Sequence, residues 1–208
     1  MVKTPLPKIV IIDYGLGNLR SVHKALEKIG ADVYISKQEE DISKADALIL
    51  PGVGAFRDAV KNIVPLKSVV CEQVESEKPL LGICLGLQLL FTESTEGGIY
   101  DGLDVLRGRI VRFPEGLKVP HIGWNAMRIV DSANPLVEGL PKEPYVYFVH
   151  SYYAEVKDKS DIVALTDYGL DFPSMVAKGD VFATQFHPEK SGKVGLKILE
   201  NFFKYIKR

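Results

Sequence analysis

Short apolar runs alternate with stretches of helical periodicity from residue 8 to residue 90, and this alternation limits the possible folds more than any other feature. Residues 8–13 (KIVIID) form a β-branched run typical of a strand. Apolar residues then recur at spacings of three and four from Leu19 to Ile29, which predicts a helix that ends at Gly30. Strands that alternate with helices are joined by right-handed crossovers, so the pattern predicts an α/β fold with a doubly wound, mostly parallel sheet flanked by helices.

The second half of the chain has a different sequence pattern. After Gly102 the sequence consists of short β-rich segments separated by turn residues, which predicts antiparallel strands added to the sheet. The chain closes with an amphipathic pattern from Val194 to Ile206, which predicts a helix packed on the sheet. No linker or repeat separates the halves, so we expect a single domain over residues 1–208. The other elements predicted in the first half are strands at Asp32–Ser36, Ala45–Leu50 and Leu80–Ile83, and helices over residues 56–76 and after Cys84.

Composition and charge exclude several classes of function. A formal net charge of -1 gives no basic field for a phosphate backbone, so nucleic acid is not expected as a partner. No apolar run approaches the roughly 20 residues that cross a bilayer, and the first residues lead into a strand instead of a signal sequence. We therefore expect a cytoplasmic protein without membrane contact. In a reducing compartment the two cysteines, Cys71 and Cys84, are not expected to form a disulfide.

Cys84 lies between two glycines where an apolar run changes from strand-like to helix-like. The pentapeptide Gly82-Ile83-Cys84-Leu85-Gly86 has the layout of a nucleophile elbow, a sharp strand-to-helix turn that presents a reactive side chain above a sheet. At a helix start, unpaired N–H groups and the helix dipole favour a thiolate over a thiol, and the Leu85 N–H would face an oxyanion formed beside the sulfur. The alternative is a buried cysteine that acts as a small apolar side chain.

A nucleophilic cysteine needs a base, and the chain has four histidines. His23 lies within the first helix, where a surface or structural role is expected, and His150 lies in an aromatic strand as a half-buried residue. His121 is the third. His187 ends the apolar run 181–186 (VFATQF), and strand ends are where α/β sheets place their active sites.

Glu189 follows His187 by two residues. Pro188 restrains the backbone between them, and in an extended segment residues i and i+2 project to the same side. Glu189 can therefore face the way His187 faces. A carboxylate beside an imidazole fixes its tautomer and stabilises the imidazolium, so Cys84, His187 and Glu189 form a candidate catalytic triad.

A second glycine-rich turn, Pro51-Gly52-Val53-Gly54, follows an apolar strand. Glycines near a helix start can turn backbone N–H groups toward an anion, either a phosphate or an oxyanion. The turn lacks the Lys-Ser/Thr of a P-loop, and the stretch GLGNLR has Arg20 where a dinucleotide fingerprint needs a small residue. Neither stretch supports a nucleotide site, and neither a cofactor nor a metal is predicted.

Together and in this order, the stretches PGVGAF, GICLGLQLL and HPEKS resemble the class I (triad) glutamine amidotransferases over nearly the whole chain. Two more stretches, IIDYGLGNLRS at residues 11–21 and HIGWN at residues 121–125, are similar to the glutaminase subunits of imidazole glycerol phosphate synthases, a family within that class. The resemblance implies a glutaminase that attacks glutamine with Cys84, releases ammonia and hydrolyses a γ-glutamyl thioester to glutamate.

The same resemblance implies the parts of a glutamine site. His187 would protonate the departing ammonia and then activate the water that hydrolyses the thioester. Glu96 would pair with the α-ammonium group of glutamine. The alternative for the implied substrate contacts is that they are ordinary surface residues of a helix and strands. The implied oxyanion hole consists of Gly52, Val53 and Leu85, and the implied substrate contacts are Gln88, Glu96, Ser151 and Tyr152.

A partner is also implied by the resemblance. The ammonia would pass to a (β/α)8 barrel synthase subunit in a heterodimer, where it would react with a phosphorylated ribulosyl nucleotide intermediate of histidine biosynthesis. An enclosed path has a chemical reason, because ammonia is readily protonated at neutral pH and is then a poor nucleophile. Trp124 has an alternative role as a core residue of the sheet edge. The residues expected to contact the partner are polar or aromatic and lie in or near the motifs: Asn18, Trp124, Asn125, Tyr147 and Lys190.

The partner is expected to regulate hydrolysis, because uncoupled turnover wastes glutamine. Gly52 and Gly54 give the backbone around Val53 conformational freedom. We therefore expect the loop to rest with its oxyanion-binding N–H turned away and to shift when partner and nucleotide bind.

Three alternatives remain open on the sequence alone. The first is a glutaminase subunit that serves anthranilate, GMP or pyridoxal phosphate synthesis, against which IIDYGLGN and HIGWN weigh. The second is a noncatalytic regulatory protein of the same fold, against which the complete triad weighs. The third is a redox-sensing cysteine protein, which requires a resolving thiol near Cys84, whereas Cys71 is expected in a separate helix.

Overall fold

The computed structural model describes residues 6–207, so residues 1–5 and 208 of the predicted domain lie outside the described part. The strands are β1 (Lys8–Ile12), β2 (Asp32–Ser36), β3 (Ala47–Gly52), β4 (Leu80–Cys84), β5 (Phe91–Ser94), β6 (Tyr100–Asp101), β7 (Leu106–Arg112), β8 (His121–Ala126), β9 (Arg128–Ile129), β10 (Tyr145–His150), β11 (Tyr152–Val156), β12 (Ile162–Asp167), β13 (Asp171–Lys178) and β14 (Val181–Thr184). The α-helices are α1 (Leu19–Lys28), α2 (Glu39–Lys44), α3 (Phe56–Ile63), α4 (Lys67–Glu75), α5 (Leu85–Leu89) and α6 (Gly192–Ile206).

An eight-stranded sheet with the order β2-β1-β3-β4-β14-β13-β12-β9 forms the centre of the fold. Strands β1 to β4 and β14 pair in parallel. Strands β13, β12 and β9 extend the sheet through antiparallel pairs. The predicted mixed, mostly parallel sheet is therefore confirmed.

The central strands are apolar throughout because both faces of the sheet are covered. Ile9 and Ile11 of β1 belong to the core on one face, and Val10 and Ile12 belong to the core on the other. Successive side chains of a strand point to opposite faces, so a strand buried on both faces carries no polar alternation. Helices α1 and α6 cover the first face and α2 to α5 cover the second, which gives the doubly wound arrangement.

The second half of the chain adds two smaller sheets. Strands β8 and β10 pair antiparallel as a two-stranded ribbon, here called the β8–β10 ribbon, and Phe148 of this ribbon joins the core beneath α1 and α6. The sheet β11-β7-β5-β6 lies on the other face, where Ile110 and Ala154 join the core around α2 to α5. None of the helices within residues 6–207 is long and apolar enough to span a membrane.

Several local predictions are wrong in detail. The helix after Cys84 ends at Leu89, because the apolar run continues as β5, which pairs with β7. Helix α2 was missed, because its short charged sequence shows one buried residue, Ile42. Strand β14 ends at Thr184, and residues 188–190 form a 3-10 turn instead of an extended segment, since proline suits the first position of a helical turn.

The turn from β4 into α5 brings backbone into close contact with backbone. Cys84 has φ 54° and ψ -108°, a conformation that few non-glycine residues adopt. A methyl group at Gly86 would overlap the carbonyl oxygen of Leu50 in β3. A methyl group at Gly52 would lie 2.8 Å from the Leu85 Cβ. Glycine at these two positions therefore lets β3 and α5 approach closely around the strained cysteine.

Replacement of Gly86 by alanine is expected to lower the free energy of unfolding by at least about 2 kcal/mol, because the methyl group would force β3 and α5 apart. This loss of stability should appear even though alanine is more favourable than glycine in a helix by about 1 kcal/mol. Chemical denaturation measures it, with Lys24→Ala at an exposed position of α1 as the control. A Gly86→Ala protein as stable as the parent would contradict the close packing.

Candidate active site

The predicted site residues gather at the carboxyl ends of the parallel strands. Cys84 ends β4, and its register partner in β3 is Gly52, so the loop 51–54 lies directly beside the cysteine. His187 follows the neighbouring strand β14, which pairs with β4. In open α/β sheets, this edge is where ligands bind.

A pocket of about 230 Å³ opens at this edge of the sheet. It brings together eight of the ten residues predicted for catalysis, oxyanion binding and substrate contact; Gly52 and Glu189 lie behind its wall. A larger groove of about 760 Å³ runs along residues 128–143, but its lining contains neither cysteine nor histidine. The small pocket is lined by Val53, Gly54, Cys84, Leu85, Gln88, Glu96, Pro120, Val149, His150, Ser151, Tyr152 and His187.

His187 and Glu189 form a buried pair. His187 Nδ1 donates to Glu189 Oε1 over 2.9 Å, and both side chains are almost inaccessible to solvent. The 3-10 turn that begins at Pro188 brings them together, so the predicted pairing forms through a different backbone geometry. The bond directs the other ring nitrogen, Nε2, away from Glu189 toward the pocket that Cys84 lines. Nε2 makes no hydrogen bond of normal length and angle with the described residues, although Cys84 is close enough to raise the pKa of the ring.

The pKa of His187 is raised from 6.5 to about 10, although burial, the largest single influence, lowers it. Interactions with Cys84 and with Glu189 together outweigh burial, because both groups stabilise a positive imidazolium. With its pKa in this range, His187 is protonated at neutral pH beside the Cys84 sulfur. An imidazolium in this position can give a proton to a leaving amine.

The glycine-rich loop is exposed at its tip and buried at its base. Val53 is 38% exposed and Gly54 has φ 115°, whereas Gly52 is buried. The buried hydroxyl of Tyr14 lies beside Gly52 and has no hydrogen-bond partner among the described residues. Burial raises the pKa of Tyr14, and the charge of Cys84 raises it further, which places this hydroxyl near the sulfur. Sequence reasoning missed Tyr14, although it lies within IIDYGLGN.

Two polar side chains tie the pocket walls together. Gln88 Nε2 donates to the Tyr152 carbonyl and to Gln185 Oε1, each over 3.2 Å. Gln185 Nε2 in turn lies 3.7 Å from Cys84 Sγ. Glu96 accepts from the Phe56 N–H over 2.9 Å, which fixes the carboxylate at the start of α3. Gln185 was missed, because nothing in the sequence distinguishes it from the other polar residues near the HPEKS motif.

Three of the residues predicted to contact a partner form one surface cluster. Trp124 is 56% exposed, so its alternative assignment to the core is wrong. Its ring centroid lies 6.1 Å from that of Tyr147, and Lys190 Nζ lies 6.0 Å from the centroid of the Tyr147 ring. Asn125 turns its side chain inward, where it donates to the Asp167 carbonyl. Asn18 starts α1, and its neighbour Gly17 packs beside Pro51 and Gly52.

The remaining histidines and Cys71 have structural surroundings. His150 is buried, not half-buried as expected, and hydrogen-bonds to His121. His23 is half-buried on α1 near Glu27. Cys71 packs against the core around α2 to α5, whereas Cys84 belongs to the core on the opposite face of the sheet. This separation weighs against the redox alternative.

The chain matches the family model "Glutamine amidotransferase class-I" over residues 10–206. The imidazole glycerol phosphate synthase subunit HisH of Methanosarcina acetivorans is 56% identical over 200 residues, which cover 95% of this chain and 98% of the relative. The HisH subunit of Archaeoglobus fulgidus is 50% identical over 201 residues, which cover 96% of this chain and all of the relative.

Solved structures resemble the fold at lower sequence identity. A crystal structure of a glutamine amidotransferase superposes with a TM-score of 0.76 and 22% identity, and covers 96% of this chain and 99% of that one. The structure of PurLQS from Thermotoga maritima gives a TM-score of 0.78 and 18% identity, with 97% and 99% coverage. At such identities the likeness shows the fold alone.

Replacement of Glu189 by glutamine is expected to lower the pH at which His187 loses its proton, from about 10 toward neutral. The reason is that the carboxylate charge is one of the influences that hold the pKa of His187 up. Titration of the His187 ring followed by NMR measures the midpoint, with Glu200→Gln on α6 as the control. A midpoint that is unchanged by Glu189→Gln would show that the carboxylate does not stabilise the imidazolium.

Proposed function

We propose that this chain, which belongs to the class I glutamine amidotransferase family, is the glutaminase subunit of an imidazole glycerol phosphate synthase. It hydrolyses glutamine to glutamate and supplies the ammonia for a step of histidine biosynthesis. The observation that carries the proposal is the convergence of Cys84, His187 and Glu189 at one pocket beside a glycine-rich loop. The names and the full-length similarity of the relatives favour this synthase over those of anthranilate, GMP or pyridoxal phosphate synthesis.

The first half of the reaction forms a thioester. Cys84 Sγ attacks the side-chain amide carbon of glutamine, and the amide oxygen takes up the electron pair as an oxyanion. The backbone N–H groups of Val53 and Leu85 hold this oxyanion, since both residues line the pocket next to the sulfur. His187 then donates its Nε2 proton to the amide nitrogen. The carbon–nitrogen bond breaks and ammonia leaves.

The second half hydrolyses the thioester. His187 is now neutral and accepts a proton from a water molecule, whose oxygen attacks the thioester carbon. The carbon–sulfur bond breaks, glutamate leaves, the Cys84 sulfur is released, and His187 is again protonated. Glu189 stabilises the imidazolium at the beginning and end of the cycle through its 2.9 Å hydrogen bond. The electrostatic effect that raises the pKa of His187 thus also sets its resting state as an acid.

Glutamine is held by groups on three walls of the pocket. The Glu96 carboxylate pairs with the α-ammonium group, and its second role, to accept from Phe56 N–H, keeps it in place. The backbone of Ser151 and Tyr152 contacts the substrate from the opposite wall. Gln88 completes the site from α5, one helical turn after Cys84.

The partner of this subunit is a (β/α)8 barrel synthase subunit, and the pair is a cytoplasmic heterodimer. The cluster of Trp124, Tyr147 and Lys190 supports a docking face on the β8–β10 ribbon, because exposed aromatic residues beside a cation are common at the centres of interfaces. This face lies beside the pocket, since Val149 of β10 lines it. Ammonia released at Cys84 therefore has a short path into the partner.

Partner binding also regulates the oxyanion loop. The exposed tip at Val53 and the positive φ of Gly54 support a loop that exchanges between two backbone arrangements. One arrangement turns the Val53 N–H away from the oxyanion and the other turns it toward the oxyanion. Docking on the adjacent ribbon, together with nucleotide on the partner, favours the second arrangement.

Replacement of Cys84 by alanine is expected to abolish synthesis from glutamine in the complex, by at least about 10³-fold, because the thioester cannot form. Synthesis from added ammonium salts should stay within about twofold of the parent, because the partner carries out that chemistry on free ammonia. Product formation from each nitrogen source, measured with the purified barrel subunit and its nucleotide substrate, gives both rates.

Cys71→Ala is the matched control, since this cysteine lies on α4 away from the pocket, and it should retain both activities. Loss of both activities in Cys84→Ala would give the cysteine a structural role. Full glutamine-dependent activity in Cys84→Ala would contradict the proposed function itself.

A further inference from the structure

Two buried histidines that the reaction does not use form a continuous hydrogen-bonded chain that reaches the pocket wall, where His150 lies. His121 Nδ1 lies 3.1 Å from His150 Nε2. His150 Nδ1 lies 2.8 Å from the Tyr152 carbonyl oxygen. At the other end, Asn125 Nδ2 lies 3.4 Å from His121 Nε2. The chain therefore runs from Asn125 on β8 to the backbone of the pocket wall.

Backbone groups at the two ends of this hydrogen-bonded chain fix the direction of each of its bonds. The Tyr152 carbonyl accepts, so His150 Nδ1 carries the proton, and in a neutral ring His150 Nε2 must accept from His121 Nδ1. His121 Nε2 is then an acceptor, and it faces the Asn125 amide nitrogen. The Asn125 amide is oriented by two further bonds, since its oxygen accepts from the Ala126 N–H over 2.8 Å and its nitrogen donates to the Asp167 carbonyl over 2.9 Å.

The surroundings keep both rings neutral and immobile. His121 is stacked between Phe148 and Tyr168, at centroid distances of 4.9 Å and 4.0 Å. His150 packs against Phe113 and Phe172 within 5.2 Å of each centroid. Burial lowers the pKa of His121 to about 4 and that of His150 to about 3. Neither ring acts as a base for Cys84 in this arrangement, because the two rings hydrogen-bond to each other.

The hydrogen-bonded chain ends at the Tyr152 carbonyl, a group in the wall of the glutamine pocket. The Tyr152 carbonyl accepts from His150 and also from Gln88 Nε2, so both of its lone pairs are used. These two bonds hold the Tyr152–Tyr153 peptide group at the start of β11, and Tyr152 lines the pocket. From Gln88, the bond to Gln185 continues to Cys84 Sγ.

The hydrogen-bonded chain begins directly behind the proposed docking face. Asn125 is the direct neighbour of Trp124 on β8, and strand alternation turns the two side chains to opposite faces of the β8–β10 ribbon. A displacement of the ribbon at Trp124 therefore moves the first donor of the chain. The last acceptor of the hydrogen-bonded chain is the Tyr152 carbonyl, and Tyr152 lines the pocket.

We infer that His121 and His150 are positioning residues which link the docking face to the wall that binds glutamine. This inference rests on the proposed function, because it concerns the affinity of the same pocket for glutamine. The pair sets the position of the Tyr152 carbonyl in the pocket wall, and the triad carries out the chemistry. Loss of this hydrogen-bonded chain therefore weakens glutamine binding more than it slows the chemical step.

Replacement of His121 by leucine is expected to raise KM for glutamine about tenfold and to change kcat by less than about twofold, because the pocket wall loses a buried hydrogen bond while the triad stays intact. His121→Asn should recover most of the parent KM, because its amide nitrogen takes the place of Nδ1 and still donates to His150. Glutamate release at varied glutamine concentration gives both constants. His23→Leu on α1 is the matched control and should leave KM unchanged.

The result that would overturn the inference is a KM in His121→Leu within about twofold of the parent, or an equal loss in the leucine and asparagine variants. If His121→Leu does not fold, Asn125→Ala replaces it. This change removes the first donor at a half-buried position, and it should also raise KM for glutamine. An unchanged KM in that variant would equally overturn the inference.

The ring tautomers give a readout that does not depend on activity. Long-range ¹⁵N NMR spectra of the parent protein should show both His121 and His150 protonated at Nδ1. An Nε2–H tautomer in either ring would overturn the inference, because the hydrogen bonds would not run in the stated direction, even if glutaminase activity depends on Cys84. A parent protein without Cys84-dependent glutaminase activity would instead refute the proposed function and leave the tautomer test to decide whether the hydrogen-bonded chain exists.

Discussion

The backbone turn at Cys84 is the constraint on which the site depends. A φ of 54° at a residue other than glycine is strained, and it persists because β3, β4 and α5 are packed around it. Gly52 and Gly86 are the positions where β3 and α5 meet without room for a side chain. The strained turn places the sulfur at the edge of the sheet instead of in its interior, and it starts a helix whose first N–H belongs to the proposed oxyanion site.

The other parts of the site are arranged around this turn by the parallel sheet. Strand β3 ends beside Cys84 and leads into the glycine-rich loop, and β14 leads into the turn that pairs His187 with Glu189. Burial alone would make His187 neutral, and the two neighbouring acidic groups reverse that effect. His121 and His150, buried without such partners, are neutral. Burial thus lowers the pKa of all three histidines, and the acidic partners of His187 raise its pKa again.

The sequence predicted the parallel strands, the sharp turn at Cys84 and the pairing of His187 with Glu189, because each depends on local patterns. The run KIVIID is apolar on both faces, and glycines flank Cys84 at fixed spacing. It did not predict that α5 ends after five residues or that β5 follows, because an apolar run buried on all sides has no period that separates helix from strand. Nor could it predict Gln185, Tyr14 or the His121–His150 pair. These contacts join segments that are far apart in the chain, and they depend on tertiary packing.

The most direct test of the account is whether glutamine becomes covalently attached to Cys84. The complex is mixed with glutamine, quenched in acid within milliseconds, digested and analysed by mass spectrometry. If Cys84 is the nucleophile, a γ-glutamyl group appears on the peptide that carries Cys84 before glutamate accumulates, and it is absent from Cys84→Ala. Glutamate release with Cys84 unmodified at every quench time, or at the parent rate in Cys84→Ala, would contradict the account.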